Sequence, residues 1–243
     1  MDNGKLKVLF LSFWSPPEIR PRAIAIGKLM PEFLKQGVDP VIVTYHSEYE
    51  WKIGSPIYKI SPYTINIFSK RNAFVRIFLE YIYYKKNYYF LKKIIKNNKI
   101  DVIFSFSNPQ ASNILGAMIK KKLNIPFISH FSDPWSDNPY KKFKGLGRQK
   151  VLFLEKFIIR NSNKVVFTNE EAQGLIMKKY PSSWLKKTTV ISHCYDDKDY
   201  PGKREVSNGK LILSYVGAFY SERNPEILFE ALQKIINTDF FKD

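Results

Sequence analysis

Short apolar segments alternate with amphipathic helical segments along most of the chain, and this alternation constrains the fold most strongly. The first apolar segment spans residues 5–13, and after it apolar residues recur at three- and four-residue intervals from Ile26 to Leu34. Gly37 ends this helical pattern, and a second apolar segment covers residues 40–45. A strand, a helix and a strand in this order predict a βαβ unit of a parallel sheet.

The same pattern recurs further along the chain. More strands are predicted at residues 101–107, 126–131, 164–168 and 188–192. A helix after residue 148 has Phe153, Leu154, Phe157 and Ile158 on one side, while 145–148 is expected to be a loop. Asn169 is a plausible N-cap of the next helix. The sequence therefore predicts a doubly wound, Rossmann-like parallel α/β sheet.

A polar, turn-rich segment at residues 193–209 predicts a linker after a first domain of residues 1–192. The pattern then restarts with a predicted strand at 210–217 and a helix after it. A domain of ordinary size needs about 100 residues. We therefore expect residues 210–243 to be the start of a truncated second α/β domain.

An excess of basic residues is the main compositional signal. Lysine and arginine number 39 against 22 acidic residues, and the formal charge is +17. Such a chain attracts anions, and nucleic acid, anionic lipid headgroups and nucleotide phosphates all qualify. Charge alone does not rank these partners, and an ordinary lysine-rich solvated surface explains part of the excess equally well.

Residues 74–99 form a long, aromatic and basic segment in which Glu80 is the only acidic residue. As a helix it places Phe74, Phe78 and Tyr81 on one side and lysines toward its carboxyl end. One interpretation is a basic amphipathic helix that contacts an anionic membrane. The other main interpretation is a core-packing helix whose lysines suit the helix dipole, and nucleic acid is the weakest because it rests on charge alone.

The cysteine content and the hydropathy pattern indicate in which cellular compartment the protein is expected. Cys194 is the only cysteine, which excludes an internal disulfide framework, and no His/Cys cluster has metal-ligand spacing. The first apolar run breaks at Ser15 before a signal-peptide pattern is complete, and no segment approaches the ~20 apolar residues of a membrane span. We expect no metal or other cofactor, and a cytoplasmic protein that is at most peripheral on the inner face of the cell membrane.

Polar and turn-forming side chains follow the predicted strands. They are Ser15, Pro16, Pro17, Glu18, Arg20, Asn108, Pro109, Ser132, Asp133, Trp135, Asn169 and Glu170. Ligands of doubly wound sheets bind beyond the carboxyl ends of the strands, so we expect these residues to line one polar cleft. The chain lacks G-x-G-x-x-G, G-x-x-x-x-G-K-[ST] and G-x-S-x-G, which argues against a dinucleotide-dependent dehydrogenase, a P-loop NTPase and a nucleophile-elbow hydrolase.

Several motifs follow one another in a characteristic order. They include FWSPPEIRPRAIAIGKLM, FSNPQASNILGAM, ISHFSDPWSDNPY, VVFTNEEAQGLIMKKYP and LSYVGAFYSERNPEILFEAL. This order resembles that of family-4 glycosyltransferases of the GT-B fold, over nearly the whole chain. The chain would then correspond to the acceptor-side half of such an enzyme and the first βα unit of its donor-side half. The resemblance implies transfer of a sugar from a nucleotide sugar, with retention of configuration and without an obligatory metal.

The resemblance also implies a set of site residues. The segment HFSDPW is similar to a family variant, dfRDPW, and GAFYSERN is similar to the family's phosphate loop with arginine in the place of a lysine. The catalytic residues implied are Asp133 and His130. The substrate-binding residues implied are Glu18, Arg22 and Trp135. Asn108 and Asn169 are expected to bind substrate as well, because they follow predicted strands at the same edge of the sheet. The residues implied for the donor phosphate are Gly217 and Arg223.

The function implied by the resemblance is sugar transfer in bacterial surface-polysaccharide synthesis. The partners implied are a nucleotide-sugar donor and a glycan or lipid-linked acceptor. An anionic membrane contacting residues 74–99 is a further expected partner, which rests on the basic segment rather than on the resemblance. Two other hypotheses stay open. One is a truncated, non-catalytic module that binds acceptor or membrane, and the other is a nucleic-acid-binding protein, which predicts a steep salt dependence of DNA or RNA affinity.

Overall fold

The chain divides into two units, Met1–His193 and Cys194–Asp243. A computed structural model describes residues 4–45, 51–60, 73–141, 143–195, 202, 212–217, 219 and 224–236. Seven parallel strands form one sheet in the first unit, in the order β3-β2-β1-β4-β5-β6-β7.

Most strands and helices of this unit follow the order that the sequence pattern predicts. The strands are β1 (Leu6–Leu11), β2 (Val38–Tyr45), β3 (Ile57–Ile60), β4 (Val102–Phe106), β5 (Phe127–Phe131), β6 (Lys164–Phe167) and β7 (Thr188–Val190). The helices of this unit are α1 (Pro21–Lys35), α2 (Ala73–Asn98), α3 (Ala111–Leu123), α4 (Gly145–Asn161) and α5 (Glu170–Met177), with a 3-10 helix at Ser182–Lys187.

Side chains of β1 alternate between two cores because successive residues of a strand point to opposite faces. Phe10 packs with Ile26 and Met30 of α1 on one face. Leu9 and Leu11 pack on the other face in a larger core, to which α2, α3, α4 and α5 all contribute. Helices thus cover both faces of the sheet, and the prediction of a doubly wound, Rossmann-like fold is confirmed.

Two elements of the first unit differ from the sequence predictions. Strand β3 was missed because it has only four residues and pairs with β2 alone, at the sheet edge. Helix α4 includes residues 145–148, which were expected to form a loop, and an ion pair of 3.1 Å between Arg148 and Asp137 holds this first turn. Phe153 is 70% exposed, because α4 turns Val151 and Ile158 to the core.

The second unit contains α6 (Glu226–Ile236), in which no residue is buried. The described part of the strand predicted at 210–217, residues 212–217, does not form a strand. A strand needs a paired neighbour for its backbone hydrogen bonds, and the described part of this unit offers none. Most of the predicted linker, 193–209, lies outside the described residues.

Candidate functional site

The candidate site lies where the strand order reverses, at the carboxyl ends of β1 and β4. These strands are neighbours in the sheet, yet the chain leaves β1 toward β2 and leaves β4 toward β5. Such a reversal opens a crevice in which α/β proteins bind ligands. The loops after β1, β4, β5 and β6 all begin at this edge.

Asp133 is an exposed carboxylate that the neighbouring loops hold in place. Its Oδ2 accepts hydrogen bonds from Asn108 Nδ2 at 2.8 Å and from Ser132 Oγ at 2.9 Å. Ser132 is itself fixed, because its backbone N–H donates to Ser107 Oγ at 2.9 Å and its carbonyl accepts from Thr168 Oγ1 at 3.0 Å. The loops after β4 and β6 therefore hold the segment after β5 that carries this carboxylate.

Arg22 brings a positive charge to this edge from the first turn of α1. Its guanidinium lies 5.4 Å from the ring centroid of Phe106, and its Nε is buried without a hydrogen-bond partner among the described residues. Burial lowers the pKa of Arg22, and the negative charge of Asp133 opposes this effect. An arginine stays protonated under such conditions. The edge thus has a cation from α1 within electrostatic range of an anion from the loop after β5.

His130 lies on β5 just below this edge and is 7% exposed. Its ring centroid is 5.5 Å from that of Phe106, and its Nδ1 is buried without a hydrogen-bond partner among the described residues. Burial, followed by the charges of Arg22 and His193, lowers the pKa of His130 to about 3. The imidazole is therefore neutral at physiological pH, so one of its nitrogens can donate a hydrogen bond and the other can accept one.

Glu18 lies in the loop after β1, where it is half-buried. The backbone N–H of Glu18 donates to the carbonyl of Ser15 at 3.2 Å, and Ser15 Oγ is hydrogen-bonded to Thr44 Oγ1 at 2.7 Å. In the same loop the guanidinium of Arg20 lies 4.0 Å from the ring centroid of Trp14. The loop is thus built on local contacts, and the described residues include no side-chain partner for the Glu18 carboxylate.

Trp135 is half-buried in the loop after β5. Its ring packs against the larger core and lines a cavity of about 450 Å³ between α2, α3 and α4. Asn108 lines the same cavity, so the donor to Asp133 also connects the edge to this cavity.

A buried ionic cluster that the sequence analysis did not identify anchors the loop after Trp135. Glu155 of α4 is fully buried and accepts hydrogen bonds from Ser136 N at 2.9 Å and Tyr180 Oη at 2.8 Å. Lys179 Nζ lies 2.8 Å from Glu155 Oε1 and 2.5 Å from Asp137 Oδ2. These contacts fix the direction in which the loop leaves β5.

The charges of this cluster follow from its surroundings. Burial raises the pKa of Asp137, but the hydrogen bond and charge of Lys179, and then those of Arg148, outweigh burial and lower it. Burial, and after it the negative charge of Glu155, raises the pKa of Tyr180, so its hydroxyl stays a donor. The role of Glu155 could not be predicted from the sequence, because its partners come from distant segments of the chain.

Asn113 of α3 is a second buried polar residue that the sequence analysis missed. Its Nδ2 donates to the His130 carbonyl at 3.1 Å and to Gln110 Oε1 at 2.9 Å, and its Oδ1 accepts from Ser105 Oγ at 2.5 Å. The only signal in the sequence is a polar residue amid the apolar positions of a helix. Asn113 ties the start of α3 to the strand that carries His130.

The other expected site residues do not join this group. Asn169 is the N-cap of α5, and its side-chain oxygen accepts from Ala172 N at 2.7 Å. Gly217 belongs to the second unit, and Arg223 lies outside the described residues. Within the described part of the chain, no group of three or more His, Cys, Asp or Glu side chains could hold a metal ion.

The sheet order defines a Rossmann-like α/β protein, and its polar edge lies at the reversal point, where proteins of this class bind ligands. The family model of Glycosyltransferase Family 4 matches residues 24–199. The chain therefore belongs to glycosyltransferase family 4. No curated protein matches it in sequence.

Solved structures agree on the fold. Sucrose-phosphate synthase from Thermosynechococcus elongatus is 12% identical, with a TM-score of 0.61 over 80% of this chain and 49% of its own. A glycosyltransferase from Rickettsia africae ESF-5 is 15% identical, with a TM-score of 0.51 over 98% of this chain and 51% of its own. The chain thus spans about half the length of these proteins, and at such identities the likeness shows the GT-B-type fold alone.

Proposed function

We propose that the chain is the acceptor-side half of a glycosyltransferase that moves a sugar from a nucleotide sugar to a glycan or lipid-linked acceptor, in the synthesis of a bacterial surface polysaccharide. The observation that carries the proposal is the Asp133 carboxylate, which Asn108 holds at 2.8 Å beside Arg22 at the reversal point of the sheet. Membership of glycosyltransferase family 4 supports the reaction class.

The reaction proposed exchanges one bond at the anomeric carbon. The bond from this carbon to the nucleoside diphosphate breaks, and the electron pair leaves with the diphosphate oxygen. An acceptor hydroxyl forms the new bond from the same face, and its proton passes to the departing diphosphate. The configuration is therefore retained, and no metal is needed because fixed cations and helix N-termini stabilise the charge that builds on the phosphate oxygens.

Each residue at the edge has a role that its surroundings suit. Asp133 accepts a hydrogen bond from the acceptor hydroxyl and orients it, since the residue is exposed and its contacts with Asn108 and Ser132 both go to Oδ2. Arg22 stabilises negative charge in the crevice. His130 is neutral, so it offers a hydrogen bond to a sugar hydroxyl without adding a second cation beside Arg22.

The remaining expected residues have proposed roles at the rim of the crevice and on the donor side. Glu18 binds substrate from the loop after β1, and Asn169 does so through its amide nitrogen, since its oxygen caps α5. Residues 1–192 form the acceptor-side domain, 193–209 the linker and 210–243 the start of a donor-side domain. Gly217 and Arg223 in that segment bind the donor diphosphate.

We also propose that α2 contacts the anionic inner face of the cell membrane. Its exposed outer surface combines the apolar side chains of Val75, Phe78 and Ile82 with the exposed Lys85 and Lys86. A helix with apolar and basic exposed residues suits a membrane interface. No helix in the described part of the chain is long and apolar enough to cross a membrane.

The test of the proposed function is sugar transfer by the complete polypeptide that the gene encodes. Purified protein is incubated with a panel of nucleotide sugars and a lipid extract from the producing cells, and the lipids are analysed by mass spectrometry. We expect one nucleotide sugar to give a lipid product heavier by one sugar residue. A protein that binds none of the nucleotide sugars and yields no product would contradict the proposal.

A further inference from the structure

The cavity beneath α2 has an apolar floor. Its volume is about 450 Å³, within the range of small-molecule pockets. Tyr84, Ile114, Trp135 and Leu154 line it, and all four pack with the larger core. A floor built on the core is preformed, so apolar groups that enter it leave water without reorganising the fold.

Positive charge surrounds this floor. The charged side chains that line the cavity are three cations, Arg76, Lys141 and Lys150, and one carboxylate, Glu80. Glu80 forms an ion pair with Lys150, whereas neither Arg76 nor Lys141 makes an ion pair with any described residue. Two cations therefore face the cavity beside its apolar floor, and this combination suits a ligand with an apolar chain and a phosphate.

Helix α2 presents different surfaces to the cavity and to solvent. Arg76, Glu80 and Tyr84 follow one another at four-residue intervals and line the cavity. Phe78 and Ile82, also four residues apart, are exposed on another side, with 61% and 43% of their surface accessible. A helix that contacts a membrane through its exposed side would place the cavity next to the lipid.

We propose that this cavity binds the phosphate and the adjoining apolar chain of an acceptor in which that phosphate links a lipid to a sugar, whose hydroxyl receives the transferred group. The chain packs on Trp135 and Leu154, and the phosphate pairs with Arg76 and Lys141. Asn108 lines the cavity and donates to Asp133, so the acceptor's reactive end extends toward the crevice. This inference rests on the proposed function, because it names the acceptor class of that site.

The test measures binding of three probes to the protein without nucleotide sugar. Geranyl diphosphate carries both parts of the ligand, geraniol carries the apolar part and inorganic diphosphate carries the anionic part. Titrations followed by saturation-transfer and phosphorus NMR give the three dissociation constants. We expect geranyl diphosphate to bind at least about tenfold more tightly than either of the other probes.

A glycine in the wall of the cavity allows a matched pair of variants. Gly147 lines the cavity, and a Cβ added there meets nothing within 4 Å, so Gly147→Leu places its side chain in the open space without a backbone clash. Gly174 in α5 is equally open but does not line the cavity, so Gly174→Leu is the control. We expect a loss of geranyl diphosphate affinity of at least about tenfold for Gly147→Leu only.

A second pair of variants tests the phosphate contact. The double variant Arg76→Met and Lys141→Met removes the two cations of the cavity lining that make no ion pair with a described residue. The double variant Lys156→Met and Arg160→Met removes the same charge from exposed positions of α4. The first should bring geranyl diphosphate affinity down to that of geraniol, whereas the second should leave it within about twofold.

The outcomes separate the parts of the inference. Equal affinity for geraniol and geranyl diphosphate would overturn the phosphate contact. An affinity for geranyl diphosphate that Gly147→Leu leaves unchanged would overturn the cavity, and so would no binding at all. If the protein binds geranyl diphosphate but transfers no sugar, the cavity assignment stands and the proposed function fails. If it transfers sugar but does not bind geranyl diphosphate, only the cavity assignment fails.

Discussion

At the scale of single residues, burial decides the charge of His130 and Arg22 in different ways. Burial lowers the pKa of both side chains. The ordinary pKa of histidine lies near neutrality, so His130 loses its charge, whereas arginine starts so high that Arg22 keeps it. The site therefore has one cation rather than two, which leaves Asp133 as its matching anion.

The neutral state of His130 predicts a loss of stability in mild acid. The pKa of His130 is about 3 in the folded chain and about 6.5 in the unfolded chain. Its contribution is fully present above pH 6.5 and falls as the unfolded state takes up a proton between pH 6.5 and 3. From pH 7.5 to pH 5 this amounts to about 2 kcal/mol of the free energy of unfolding.

Urea unfolding at pH 7.5 and pH 5 checks this expectation. The variant His130→Asn keeps a polar side chain of similar reach but does not titrate in this range. Its loss of stability between the two pH values should be smaller than that of the wild type by about 2 kcal/mol. Equal losses in the two proteins would mean that His130 is not buried as a neutral imidazole.

How far the sequence predicts this site depends on where each residue finds its partners. Asp133 and Asn108 could be placed together because the carboxyl ends of adjacent parallel strands meet at one edge. Glu155 and Asn113 could not, because a buried polar side chain has no periodic signal and its partners are known only after folding. Trp135 follows the right strand, but the ionic cluster behind it turns the loop, so its ring lines the cavity.

At the scale of secondary-structure elements, α3 packs on β5 at a glycine. A Cβ added to Gly116 would lie 2.3 Å from Cε2 and 2.7 Å from Cζ of Phe127, whose side chain is fully buried. The helix can approach the sheet this closely only without a side chain at that position. Gly116 therefore sets the distance between the strand that carries His130 and the helix that carries Asn113.

This packing predicts opposite effects of one substitution in two helices. In an open helical position alanine is preferred over glycine by up to about 1 kcal/mol, and Gly174 is open. We expect Gly174→Ala to stabilise slightly and Gly116→Ala to destabilise by about 1 to 3 kcal/mol, because Phe127 must move. Urea unfolding of both variants measures the difference, and a stabilised Gly116→Ala protein would refute the close contact.

The success of the sequence predictions also varies among elements. Central strands such as β1 and β4 were predictable because their apolar runs are bounded by turn formers. Strand β3 was not, since an edge strand of four residues with Lys59 lacks such a run. The start of α4 depends on the ion pair of Arg148 with Asp137, a tertiary contact that local propensity does not contain.

At the scale of the whole molecule, the charge of +17 and the exposed side of α2 together predict binding to anionic membranes. Sedimentation with phosphatidylglycerol vesicles should pull down more protein than sedimentation with phosphatidylcholine vesicles. Phe78→Glu should weaken this binding by at least about fivefold, because it puts a negative charge on the exposed side of α2. Phe153→Glu, at a comparably exposed aromatic residue of α4, should not.

Equal sedimentation with both kinds of vesicle would remove the membrane from the proposed function. Equal loss in the two variants would show that net charge, rather than α2, attracts the protein to the lipid. Neither result would affect the fold or the chemistry proposed at the sheet edge, because the crevice and the outer side of α2 consist of different residues.

The most direct test of the central claim is the rate of sugar transfer by the complete polypeptide with Asp133→Asn. The substitution keeps the size of the side chain that Asn108 and Ser132 hold, but removes its charge. Asp39→Asn, at a carboxylate 3.9 Å from Lys7 at the amino end of the sheet, is the control. We predict that Asp133→Asn lowers kcat/KM by about 100-fold and that Asp39→Asn changes it by less than about twofold. Transfer by a folded Asp133→Asn protein at the wild-type rate would contradict the assignment of the reaction to this edge of the sheet.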